Sequence, residues 1–152
     1  MQNTQRDVRR LMVAMNKIDG LYYRAARRYG VKGSTLTLLY ALDDGEPHSQ
    51  KQICDEWLIP RTTINTIVKE CVKDGTITLL CEKHSKEKTI VITPTGHACA
   101  RRMLQGVYDA ECSALAQTES RFSDEFVTAL EQFTRNLHAE FEKTIFRAGQ
   151  NE

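Results

Sequence analysis

Residues 49–93 limit what this chain can fold into more than any other stretch. Ser49 with Gln52 three residues on is a capping-box pair, which starts a helix by satisfying two otherwise orphaned backbone N–H groups. Ile53 and Trp57 are expected to face inward from that helix. A tight turn at Ile59-Pro60 leads into a second helix. There Ile64, Ile67, Val68, Cys71 and Val72 recur at helical spacing and mark one buried stripe. Pro60 suits the first helical turn, where its missing N–H costs nothing. Gly75 suits the stop, which often needs left-handed backbone. Two runs rich in β-branched residues follow, 76–82 and 88–93, around the charged tip Lys83-His84-Ser85-Lys86-Glu87. They predict a β-hairpin.

The second helix is divided in an unusual way. Opposite its apolar stripe lie Arg61, Thr62, Thr63, Asn65, Thr66 and Lys69. A merely solvated face is usually rich in Glu and Lys, whereas Thr and Asn are poor helix formers. Their presence suggests a face selected for hydrogen bonding. Two short helices, a turn and a hairpin make a helix-turn-helix followed by a wing, in which the second helix enters a DNA major groove. Ser49 and Gln50, at the start of the first helix, join the expected contact set. So do Lys83, Lys86 and Lys88 of the hairpin, which can meet phosphates or enter a minor groove. The plainer reading of these lysines is a solubilising tip.

This segment resembles the MarR family of transcriptional regulators. Arg61-Thr62-Thr63-Ile64-Asn65, then Val68 and Gly75, match the order and spacing of the family's recognition helix. Ile92-Thr93-Pro94-Thr95-Gly96 matches its closure after the wing. The resemblance implies a homodimeric winged-helix protein on a pseudo-palindromic double-stranded operator, often released by a small ligand or by oxidation. Two departures stand out. The family usually carries Asp-x-Arg at the wing tip, where this chain has His84-Ser85-Lys86-Glu87-Lys88. Thr66 stands where the family commonly has Arg. Lys86 is the nearest substitute for the wing arginine, without its planar fork.

Both flanks are helical in pattern. Val8, Leu11, Met15, Ile18, Tyr22, Ala25 and Tyr29 alternate steps of three and four, with Gly20 off the stripe. Ser123 is expected to cap a last helix, with Asp124 and Glu125 in its first turn and a stripe of Phe126, Leu130, Phe133, Leu137, Phe141 and Ile145. A small winged helix needs neither long helix for its own core. Val8, Leu11, Met15, Ile18, Phe126, Leu130, Phe133, Leu137 and Phe141 are therefore assigned to a shared dimer interface. The alternative is that the two helices pack together in a monomer.

Between these parts, residues 33–43 are expected to form a helix carrying Leu36, Leu39, Tyr40 and Leu42, and Thr93 to cap a helix that opens at Pro94 and runs to about Gln117. The expected fold is mainly α with a small β-hairpin wing, in one domain over 1–152. A winged helix-turn-helix unit at 33–93 is flanked by dimerisation helices at 5–30 and 94–148. In the resembling family the ligand pocket lies between the dimer half and the winged helix. Tyr22, Tyr23 and Arg27 are the candidates here, for a small aromatic or phenolic ligand.

Composition narrows the function. Hydrophobic residues make up 41% and charged residues 27%, ordinary for a globular protein. Net charge is only +1, but the carboxylates gather from Asp109 to Glu142 and leave the groove face locally basic. No apolar run reaches membrane-spanning length, and no secretory segment opens the chain, so a cytoplasmic location without a membrane partner is expected. Cys54, Cys71, Cys81, Cys99 and Cys112 are odd in number and make no disulfide framework. His48, His84, His97 and His138 form no metal-binding pattern with them. No catalytic constellation, phosphate loop or cofactor motif appears. The leading expectation is a DNA-binding regulator, by default a repressor, that responds to a ligand and is not an enzyme. The alternatives are a cysteine-based oxidant sensor of the same fold, a winged-helix module that does not bind DNA, and a thiol enzyme or metal protein.

Overall fold

The structure, a computed structural model, describes residues 2–81 and 88–146. The elements run α1 (Gln2–Arg28), α2 (Gly33–Leu42), β1 (His48–Ser49), α3 (Gln50–Trp57), α4 (Arg61–Lys73), β2 (Ile77–Cys81), β3 (Lys88–Ile92), α5 (Pro94–Glu119) and α6 (Phe126–Phe141). A π-helical turn, Glu142–Phe146, ends the described chain. The chain divides into two compact units, Met1–Val107 and Tyr108–Glu152.

In the first unit the expected helix-turn-helix and wing are present. The Ser49 capping box forms as the sequence predicts: the hydroxyl accepts from Gln52 N (3.2 Å), and Ser49 N donates to Gln52 Oε1 (2.7 Å). Ile64, Ile67, Val68 and Cys71 of α4 join Leu38, Ala41, Leu42, Ile53, Cys54, Ile77 and Ile90 in one buried cluster. Strands β2 and β3 pair antiparallel from Ile77 opposite Ile92 to Cys81 opposite Lys88. The two-residue β1, absent from the sequence expectation, adds to the other edge of β3, with His48 opposite Ile90. The sheet order is β1-β3-β2.

Several local expectations differ from what the chain does. Trp57 is 39% exposed and Val72 42%, so neither belongs to the core. Pro60 precedes α4 as its N-cap in extended backbone, because its carbonyl, not its ring, begins the helix by accepting from Ile64 N (3.0 Å). Leu58 closes α3 in left-handed backbone (φ 48°), which lets the chain reverse between the two helices at a cost of about 1 kcal/mol for a non-glycine residue.

The exit from α4 and the exit from the wing are locked together. Gly75 (φ 72°) ends α4, with Gly75 N donating to Val72 O (3.1 Å) and Thr76 N to Cys71 O (2.9 Å), the paired bonds of a Schellman stop. Thr93 then binds this turn. Its N donates to Thr76 O (3.0 Å), and its hydroxyl donates to Gly75 O (2.6 Å), with Thr76 O at 3.1 Å. The same hydroxyl accepts from Gly96 N (3.0 Å), so it also caps α5. A Cβ at Gly96 would overlap Thr76 O and press on Ile92 Cγ2 at 2.7 Å. Beyond this junction α5 buries Ala100, Met103, Leu104 and Val107 within the same unit.

In the second unit α6 has no buried residue. Ser123 does not cap it. Its hydroxyl accepts from Glu125 N (3.0 Å) in the preceding turn, and α6 begins only at Phe126, after Asp124 and Glu125 have been used in that turn.

Gly96→Ala should destabilise the protein by about 3 kcal/mol, since backbone must move to admit one methyl. Gly20→Ala, where a Cβ meets nothing within 4 Å, should instead be neutral or stabilising by up to ~1 kcal/mol. Urea melts of both variants beside the parent check the contrast.

Candidate nucleic-acid interface

Burying the apolar stripe of α4 turns its other side outward. Arg61, Thr62, Thr63, Asn65, Thr66 and Lys69 are all exposed. Between this face, the start of α3 and the wing lies a concavity of about 680 Å³. Among the described residues four cations line it, Lys51, Arg61, Lys69 and Lys88, together with Gln50 and Asn65, and no carboxylate does. A concave surface of one sign concentrates its potential and attracts a polyanion. This local excess matters more than the net charge of +1. Side chains that offer fork-like or amide hydrogen bonds, such as Arg61 and Asn65, are the types that read guanine and adenine edges in a major groove.

The predicted contact residues divide into groups. Gln50, Arg61, Asn65, Lys69 and Lys88 come together on the concavity. Ser49 also borders it, but it is 8% exposed and its hydroxyl is committed to the α3 cap. Thr62, Thr63 and Thr66 share the exposed side of α4 without lining the hollow, and the Thr66 hydroxyl donates back to Thr62 O (3.0 Å). Lys83 and Lys86 lie outside the described residues. Lys51 was missed by sequence reasoning. Its signal was its place in the first turn of a capped helix, two residues before the buried Ile53.

A second hollow of about 470 Å³ lies among α1, α2 and Trp57. Tyr22 and Tyr23 line it, as expected of a ligand site, but Arg27 does not. Its floor includes Leu36 and its remaining walls Asp19, Gly33, Thr37, Tyr40 and Trp57. Among the described residues no cluster of His, Cys, Asp or Glu is suited to hold a metal ion, and no helix is long and apolar enough to cross a membrane.

Comparison with known proteins agrees with the fold. A model of the MarR family matches residues 29–86. No curated protein matches the chain. Among solved structures, a MarR family regulator from Neisseria meningitidis is similar over 93% of this chain and 98% of its own, at 20% identity and a TM-score of 0.75. A MarR family regulator from Listeria monocytogenes, solved with a 26mer DNA, is similar over 95% of both chains at 16% identity and a TM-score of 0.71. Staphylococcus aureus MarR, solved with salicylate and kanamycin, is similar over 95% of both chains at 15% identity and a TM-score of 0.68. At these identities the likeness is one of fold.

The cysteines differ sharply in environment. Cys54 and Cys71 are buried, Cys99 is half-buried, and Cys81 and Cys112 are exposed. Burial pushes the Cys71 thiol up, which disfavours the reactive thiolate. In native protein at pH 8, a maleimide should therefore modify Cys81 and Cys112 at least about tenfold faster than Cys71. Peptide mass mapping over a time course measures the order, and early labelling of Cys71 would contradict the buried assignment.

Proposed function

We propose, from the match of residues 29–86 to a model of the MarR family, that the protein is a regulator of that family: a homodimeric, sequence-specific DNA-binding transcriptional regulator, a repressor released by a small ligand. One observation carries the reading: the outward face of α4 opens onto a hollow that, among the described residues, has four cations and no carboxylate on its lining. In this arrangement α4 lies in the major groove. Arg61 and Asn65 reach base edges, while Lys51, Lys69 and Lys88 neutralise phosphates on either side.

The dimer reading draws on uncovered apolar surface. Val8, Met15 and Ile18 of α1 are 42%, 39% and 51% exposed, and Phe126 and Phe141 of α6 are 44% and 41% exposed. Leu11, Leu130, Phe133 and Leu137 are half-buried between them on the same stripes. Long stripes of this kind are normally covered, and a second copy of the chain supplies the two-fold symmetry that a pseudo-palindromic operator requires. α5 is one unbroken helix from the Thr93 junction to Glu119. A shift at its distal end is thereby passed to the recognition helix. A ligand that prefers the wrong half-site spacing then releases DNA by binding one of two shapes.

Fluorescence anisotropy on the duplex upstream of the protein's own gene, against a scrambled duplex, tests the reading. Operator preference should be about a thousandfold, with a steep loss of affinity as salt rises. Arg61→Ala and Asn65→Ala should each cost about 1–3 kcal/mol and relax the preference. Lys88→Ala should weaken both duplexes alike and flatten the salt slope by about 1. Parent-like binding by all three variants would sink the groove assignment. Phe133→Asp should convert the protein to a monomer in analytical ultracentrifugation. A parent chain that sediments as a monomer at operator-binding concentrations would remove the dimer reading.

A further inference from the structure

The hollow beside α1 has a composition that selects its ligand. Four aromatic rings border it, Tyr22, Tyr23, Tyr40 and Trp57. They are arranged in a chain of edge-on contacts: Tyr22 and Tyr40 have centroids 6.5 Å apart at 87°, and Tyr40 and Trp57 5.8 Å apart at 73°. Tyr23 covers Gly33, whose missing side chain would stand 3.5 Å from the Tyr23 ring. Asp19 is the only charged residue on the lining, and it makes no ion pair among the described residues.

Edge-on packing sets the rings of Tyr22, Tyr40 and Trp57 at steep angles to one another along the lining of the hollow. Each face carries the negative end of a quadrupole and attracts a cation within about 6 Å of the ring centre. A carboxylate among such faces adds a full negative charge of the same sign. An aromatic acid entering here would bring its own carboxylate toward Asp19 and the π faces, with no arginine or lysine on the lining to receive it. The size suits a small molecule, since ligand sites commonly span about 300–1,000 Å³. Leu36 gives the hollow an apolar floor.

We infer that the hollow formed by Asp19, Tyr22, Tyr23, Tyr40 and Trp57 receives an apolar organic cation, of the aryl- or alkylammonium class, and not an aromatic acid. As the effector site of the regulator it rests on the function proposed above. The hollow joins α1, which carries the dimer stripe, to α2 and the end of α3, which carry the DNA-reading unit. A ligand bridging them bears on both.

Trp57 is the single tryptophan of the chain, so its fluorescence reports occupancy without any DNA present. Phenyltrimethylammonium, its neutral isostere tert-butylbenzene, and benzoate serve as probes of one size and three charges. Titration should change Trp57 emission most strongly with the cation, which should bind about tenfold tighter than either other probe, the scale of a cation–π and carboxylate contribution. Asp19→Asn, at an exposed position, should remove most of that preference while leaving tert-butylbenzene binding and the circular dichroism spectrum unchanged. Tyr23→Leu should weaken the cation and spare the neutral probe. Benzoate binding as tightly as the cation, an unchanged cation affinity in Asp19→Asn, or no emission change with any probe overturns the inference. Operator release is read separately by anisotropy. A cation that binds without releasing operator removes the effector role and leaves the pocket chemistry standing. Specific operator binding with no cation binding does the reverse.

Discussion

The carbonyl of Thr76 is the point on which the DNA-reading unit turns. It accepts from Thr93 N and lies within reach of the Thr93 hydroxyl, and it occupies the space that any side chain at residue 96 would need. Through it the last turn of α4, the foot of the wing and the first turn of α5 share one set of hydrogen bonds. Gly75 O, Thr76 O, Thr93 N and Gly96 N, the last an orphan of the α5 start, are satisfied there at once. The orientation of α4 relative to the wing follows from that junction, and so does the shape of the basic hollow between them. The glycine at 96 and the threonine at 93 are therefore about geometry, although neither touches the proposed DNA.

The two faces of α4 are linked by the same logic. Ile64, Ile67, Val68 and Cys71 are each no more than 4% exposed, so the helix cannot rotate without exposing apolar surface. Fixing the buried side fixes which residues look outward. The low net charge of the chain says little about this, because electrostatic attraction to DNA is decided over a Debye length of about 8–10 Å and not over the whole molecule. Among the described residues, every charged side chain on the lining of the hollow is a cation.

The hollow beside α1 shows how a local chemistry can depart from the expectation attached to a family. Tyr22, Tyr23 and Arg27 were the candidates for a small aromatic or phenolic ligand. Helical geometry sends Arg27 elsewhere and brings Asp19, with Tyr22 and Tyr23 three and four residues on, to the same side. Tyr40 and Trp57 then arrive from α2 and α3. Trp57 was expected in the core, and its partial exposure is what makes it available as a wall of this space.

Much of the architecture was legible in the residues themselves. The capping box at Ser49, the stop at Gly75, the stripe of α4, the paired strands and the cap at Thr93 all depend on neighbours within a few positions, and short-range rules suffice for them. Other features were not legible. Leu58 takes a left-handed backbone that no leucine advertises. Val72 is apolar and at helical spacing, yet the stripe is narrower than the spacing suggests. Strand β1 exists only because β3 offers an edge to His48 and Ser49. Lys51 joins the cationic hollow because α3 and the wing converge there. Sequence by itself determined the helices and the hairpin strands and roughly which side of each is apolar, since both are set by local hydrogen bonding and periodicity. Tertiary structure alone decided which polar groups from distant segments face a common space, since that depends on how helices and strands pack at distances no local pattern records.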